Sequence, residues 1–293
     1  MGSVCCCLFS KSKKIKINNE MSILANLTSK KQNIIFELSD NDFQNNKVDN
    51  ILDKSQINDY LIIYNGKSLN LKNTIDNKIN NKKNLKKDYI YWISLKDKNG
   101  SILNYILEYN NVINKPLIGI SIDSIDNIDE NIRQVEQIHI ILKQKNLQLE
   151  VVKAHFSLLF RDYEDLVDYC KNNNILFFAD VFMEYGALSG KYGSNNLMDD
   201  KNKVGMFFNS QINKIDNINN ELGKLAKKYN TNILKIPIIW GLSYGVFPII
   251  NINEIPNIED IDNSVSNINL ETPEIIMLER NINSQYLDIK NIN

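Results

Sequence analysis

The residues best placed to do chemistry at the start of this chain lie in MGSVCCCLFSKSKK. Gly2 follows Met1 and precedes the small Ser3, the setting in which Met1 is removed and the freed glycine amine takes a myristoyl chain. The usual pattern has Ser or Thr at the sixth position, and here Cys6 stands there. Cys5, Cys6 and Cys7 are then thiols for palmitate. One myristoyl chain gives only marginal membrane affinity, and thioester-linked palmitate makes the anchoring stable. Lys11, Lys13, Lys14 and Lys16 each add about 1 kcal/mol against an anionic cytoplasmic leaflet. The expectation is that residues 1–16 form a lipidated basic tether. It would hold the chain at the cytoplasmic face of a membrane, plasma membrane or endomembrane. The alternative is an unmodified terminus with incidental cysteines.

Other chemistries are excluded by residue type and spacing. Outside the opening cluster the chain has a single cysteine, Cys170, so no disulfide forms within residues 8–293. The two histidines, His139 and His155, are 16 residues apart, and no Cys-x-x-Cys is present, so no metal spacing exists. Both histidines lie in apolar stretches and read as structural. The net charge is -1, which does not make a nucleic-acid footprint. No run approaches the ~18 apolar residues of a membrane-spanning helix. VCCCLF is shorter than the apolar core of a secretory signal, about 7–15 residues, and no basic segment precedes it.

The elements that would carry a site alternate along the chain. Short apolar runs read as strands: 33–38, 60–64, 89–95, 116–121, 149–154, 175–180 and 247–251. Helical periodicity lies between them, in 71–85, 101–113, 128–146, 163–174 and 212–229. Repeated strand–helix alternation with strands rich in Ile, Val and Phe argues an α/β fold on a parallel sheet. Periodicity leaves open a closed barrel and an open doubly wound sheet, but no Gly-x-Gly-x-x-Gly follows any strand. KIKIN, residues 14–18, alternates lysine and isoleucine. It is either a half-buried first strand or part of the tether. Pro237 lies in a helix-like segment and is expected to kink it.

Residues 175–193, ILFFADVFMEYGALSGKYG, lead through a loop and a helix to NTNILKIPIIWGLSYGVFPII. Gly186, Leu188, Gly190, Lys191 and Tyr192 match a "G-x-L-x-G-K-Y" turn. Trp240, Leu242, Gly245, Pro248 and Ile249 match a "W-x-L-x-x-G-x-x-P-I" segment before a last strand. LIGIS (117–121) and FSLLFRD (156–162) match "I-G-V-S-N" and "Y-S-L-L-x-R". With DYIYWISL (88–95) and NIIFELSDND (33–42), the pattern resembles the aldo-keto reductase family over roughly residues 33–285. The resemblance implies a (β/α)8 TIM barrel, spanning residues 17–293, with a site at the carboxyl ends of the strands; its first strand is either supplied by residues 14–18 or reduced or missing.

The resemblance also implies positions for a catalytic tetrad of Asp, Tyr, Lys and His that reduces a carbonyl with NADPH. Here those positions hold Glu37, Asp42, Gly66 or, with one extra residue at the strand end, Lys67, and Lys96. Neither Asp42 nor the adjacent Phe43 can act as a phenol acid. The Ser-Asn pair that grips nicotinamide becomes Ser121 and Ile122, and the Gln becomes Lys153. Asp180 stands where a stacking aromatic is implied. Asn251, Asn253 and Glu254 occupy the turn where a cation meets the NADP 2′-phosphate. A turn of that composition is a poor phosphate site.

Three readings follow. The first is a membrane-tethered, catalytically degenerate barrel acting as a binding or scaffold module for a protein partner, with no cofactor. The second is an active NADPH-dependent reductase at a membrane face, with Lys96 or Tyr64 as proton donor and NADP(H) bound. The third is a pocket for some other small ligand, such as an anion near Lys67, Lys96 and Lys153.

Overall fold

The computed structural model describes residues 35–38, 61–64, 90–96, 103–104, 106–107, 117–251, 253–256, 260–261, 268–285 and 287–289. Seven strands are β1 (Ile35–Leu38), β2 (Leu61–Tyr64), β3 (Ile90–Ser94), β4 (Leu117–Ser121), β5 (Leu149–His155), β6 (Leu176–Asp180) and β7 (Phe247–Asn251). All pair in parallel, in the order β2-β1-β7-β6-β5-β4-β3. The strands thus step one way round, and the last pairs with the first. A doubly wound sheet reverses direction part-way. This is an α/β fold with a parallel sheet, consistent with the expected barrel.

β1 pairs β7 directly, Ile35 with Ile249 and Glu37 with Asn251. No strand lies between them. Of the two readings of the first strand, the one without it agrees with that pairing. Residues 14–18 and the helical reading of 71–85 lie outside the described residues, as do Gly2, Cys5, Cys6 and Cys7.

Six helices are described: α1 (Ile128–Gln144), α2 (Glu164–Asn172), α3 (Lys203–Ser210), α4 (Ile212–Lys228), α5 (Lys235–Tyr244) and α6 (Thr272–Asn283). α1 buries Val135, His139 and Leu142 at helical spacing, and α4 buries Ile215, Ile218, Leu222 and Ala226. Asp129 and Glu130 open α1 and Lys143 closes it, each complementing the helix dipole. α5 has no polar stripe, because Lys235 through Gly241 are all buried. It starts at Lys235, which corrects the expected kink. Pro237 falls in the first turn, where its missing N–H breaks no intrahelical bond, and the helix runs on to Gly245 at φ 80.

The core sits between sheet and helices. Ile118, Ile120, Val152, Ala154, Phe177 and Ala179 of the strands meet Leu142, Leu166, Leu222 and Trp240 of the helices. Trp240 stacks on Phe156 with ring centroids 5.7 Å apart. β5, β6 and β7 carry buried residues on both faces, as parallel strands covered by helices must.

Candidate functional site

A cavity of about 230 Å³ opens at the carboxyl ends of β4, β5 and β6. Three strand ends bring polar residues to it. β4 ends at Ser121, and the chain continues through Ile122, Asp123, Ser124 and Ile125. β5 supplies Lys153 and His155, and β6 supplies Asp180. Register places Ser121 opposite Lys153 and His155 opposite Asp180.

Asp123 is held from two sides. Ser121 Oγ donates to one carboxylate oxygen at 2.6 Å and Ser94 Oγ to the other at 2.7 Å. Burial pushes its pKa upward, but the two hydroxyls and the charges of Lys153 and Lys96 outweigh that and hold it below the usual carboxylate value. Lys153 Nζ lies 3.4 Å from Asp180 and 5.8 Å from the centre of the Trp92 ring. The other oxygen of Asp180 accepts from the Val181 N–H at 2.9 Å.

Beneath the cavity lies a buried ion pair. His155 Nε2 is 2.7 Å from Glu184 Oε1, which also accepts from Ser157 Oγ. Glu184 is fully buried, and its Oε2 has no hydrogen-bond partner. His155 stacks on Phe160 at 4.5 Å. Burial disfavours the imidazolium, but Glu184, with Asp180 and Asp162 further away, overrides it and raises the His155 pKa. The turn that carries Glu184 is strained: Val181, Glu184 and Tyr185 have φ of 51°, 47° and 55°. A β-branched residue at positive φ is an outlier that the surroundings must enforce.

Of the expected site residues, Ser121 and Lys153 come together here. Lys96 is exposed at the end of β3 and adds only long-range charge to Asp123. Glu37 lies in β1, in register with Ile63 and Asn251. Asp42 and Lys67 lie outside the described residues. The expected anion site loses one cation, because Lys153 is engaged by Asp180. Reasoning from sequence missed Asp123, Tyr185 and the His155–Glu184 pair. The available signal was the single carboxylate, Glu184, in the apolar run VFMEYGAL, which requires a buried partner. His139 is a structural residue, its Nδ1 2.8 Å from Tyr169 OH. Burial pushes the Cys170 thiol to about 12, which makes it inert.

A family profile, "Aldo/keto reductase family", matches residues 117–282, more than half of the chain. The chain belongs to the aldo/keto reductase family. That match takes in β4 to β7, all six helices except the last residue of α6, and every side chain of the cavity but Ile289. Solved structures with related folds include a Gox0644 mutant in complex with NADPH, at 14% identity and a TM-score of 0.41. That alignment covers 65% of this chain and 57% of the other. An aldo-keto reductase of the silkworm, Bombyx mori, matches at 17% identity and a TM-score of 0.36, over 61% of this chain and 44% of that one. The chain therefore spans less than two thirds of the length of these structures. No curated protein matches it.

Proposed function

We propose that this chain is a membrane-tethered aldo-keto-reductase-like pseudoenzyme, a divergent family member used as a binding or scaffold module. The observation that carries the reading is the Lys153–Asp180 pair. The resemblance implies a Gln at 153 and an aromatic ring at 180, which together would hold a nicotinamide. A carboxylate offers no stacking face, and the amine 3.4 Å from it is engaged within the protein.

NADP(H) does not fit the residues present. The cavity at the ends of β4, β5 and β6 measures about 230 Å³. Asp123 adds an ionised carboxylate to its lining, which opposes a polyanionic cofactor. At the turn after β7, Asn253 and Glu254 stand where the resemblance implies a cation. The neighbouring Lys191 donates to the Asn253 carbonyl at 2.7 Å.

Calorimetric titration of the purified full chain with NADPH, and NADP⁺ alongside, tests the reading. No binding is expected at millimolar cofactor. A micromolar Kd would overturn it and bring forward an NADPH-dependent reductase acting on a carbonyl compound at a membrane face. The tether rests on Gly2, Cys5, Cys6, Cys7 and the following lysines. Gly2→Ala should move the chain from the membrane fraction to the cytosol, and unchanged fractionation sinks the tether.

A further inference from the structure

Three features of the turn after β6 meet at one carboxylate. Glu184 is fully buried, its cationic partner among the described residues is His155 at 2.7 Å, and its Oε2 has no hydrogen-bond partner. Ser157 Oγ donates to the same oxygen as His155 and brings no charge. The backbone that carries Glu184 is strained, with Val181, Glu184 and Tyr185 at φ of 51°, 47° and 55°. Val181 and Tyr185 are also part of the cavity wall. A carboxylate that depends on one titratable partner therefore sits next to a wall residue, in a segment for which L-residues have lower-energy conformations.

The segment has a fixed side and a free side. Phe182 and Met183 are fully buried, and Phe182 stacks on Trp240 with ring centroids 6.4 Å apart. Gly186, at φ 97°, follows Tyr185 and tolerates backbone rotation that other residues resist. Residues 184 and 185 can rotate while 182 and 183 stay in the core. The charge on His155 is what keeps them in. A buried carboxylate is compensated beside an imidazolium and uncompensated beside a neutral imidazole. The other charges that act on His155 are Asp180 of β6 and Asp162 of the loop after β5, and both favour the imidazolium. Lys153 of β5 and Asp123 beyond β4 line the same cavity, and Lys153 pairs with Asp180. Burial, then the charges of Glu184, Glu254 and Asp180, raises the Tyr185 pKa, so this phenol stays neutral at pH 9.

We propose that the His155–Glu184 pair is a proton-operated latch on the cavity wall. While the imidazole is charged, Glu184 stays buried and Tyr185 closes the wall. When the imidazole loses its proton, Glu184 and Tyr185 rotate outward and the mouth widens. Burial works against the imidazolium and Glu184 outweighs it, so the closed form holds the proton more tightly than an open form in which His155 meets water. Opening therefore increases as pH rises above about 6.5, the ordinary histidine value, and levels off above the closed-state value. The latch goes beyond the binding-module reading, because it makes access to the cavity depend on pH, and it needs neither the tether nor a cofactor.

Amide hydrogen exchange on the full chain, resolved by residue and corrected for the intrinsic rate at each pH, tests the latch. The Glu184, Gly186 and Ala187 amides donate to Val181, Met183 and Glu184 carbonyls in the closed turn and report its opening. Their opening constant should rise at least threefold between pH 6 and pH 9. At every pH they should exchange at least tenfold faster than Val152 and Phe178 of the neighbouring strands. Glu184→Gln keeps the shape and removes the buried charge, so its opening constant should stay level over the same range. Turn amides as protected as Val152 and Phe178 at every pH would mean that the pair breaks only in global unfolding, which overturns the latch. An equal rise in Glu184→Gln overturns it too, by assigning the pH dependence to other groups. A level opening constant in the parent chain is equally fatal, so the decision does not wait on the variant folding.

Discussion

His155 and Glu184 form a buried charged pair. A fully buried carboxylate is tolerable only while its partner carries charge. The sign of the pH dependence follows. The folded-state pKa of His155 is raised above its usual value of about 6.5. The folded protein therefore holds this proton more tightly than the unfolded chain. The stability from the pair is fully present below about pH 6.5 and is lost as pH rises through the folded-state value. Urea unfolding between pH 6 and pH 9 should show this fall. Glu184→Gln should flatten it, since a neutral amide no longer holds the imidazolium. A fall of the same size in Glu184→Gln would assign the pH dependence to other groups. His155→Leu, which leaves the carboxylate alone, should cost about 3–5 kcal/mol. Reading along the chain puts each of these residues in an apolar run but cannot pair them, because 29 positions separate them.

At the scale of elements, one carboxylate of α6 ties it to α5 and to Arg161. Glu279 accepts from Trp240 Nε1 at 2.8 Å and from Tyr244 OH at 2.8 Å, both on α5. It also pairs with Arg161 at 2.8 Å, and that guanidinium is mostly covered. Glu279→Ala leaves Trp240 Nε1 without its acceptor and leaves Tyr244 OH and Arg161 only Glu164, at 3.4 Å and 3.3 Å, so a loss of about 2–4 kcal/mol is expected in chemical denaturation. A loss below about 0.5 kcal/mol would mean that water replaces the carboxylate at no cost. The turn after β6 depends on backbone conformation instead. Gly186 has φ +97, and a Cβ there would lie 2.7 Å from the Tyr192 ring and 2.8 Å from the Glu254 carbonyl. The strands were legible as elements, since each is a local run of β-branched and aromatic residues between polar breaks. α3 and α6 were not read as helices. α6 begins with the capping box of Glu271 and Glu274 and Pro at its start, but it buries only Leu278 and Ile282.

At the scale of the whole molecule, β4, β5 and β6 are deeply buried among the described residues. Ile118, Ile120, Val151, Val152, Phe178 and Ala179 have no appreciable exposure. Amide hydrogen exchange should be slowest there, with protection approaching that of global unfolding. The ends of α4 and α6 should exchange faster. Equal exchange at both places would mean that the sheet opens as readily as its covering helices. The strand order explains why the cavity lies where it does. Parallel strands that step one way round put all their carboxyl ends on one face. Ser121, Lys153 and Asp180, far apart in the chain, therefore arrive at one mouth.

The sequence by itself determined the alternation of strands and helices, the parallel α/β class and the family. These rest on local periodicity and short motifs, which neighbouring residues specify together. The resemblance also assigns Asp42 to the position of an expected phenol acid and Asp180 to that of an expected stacking ring. Tertiary structure alone decided which charges meet. Asp180 became the partner of Lys153, His155 the partner of Glu184, and Asp123 a carboxylate held by hydroxyls from two strand ends. Coulombic and hydrogen-bond energies depend on separations of a few ångströms and on burial, and neither quantity exists until distant strands are in register.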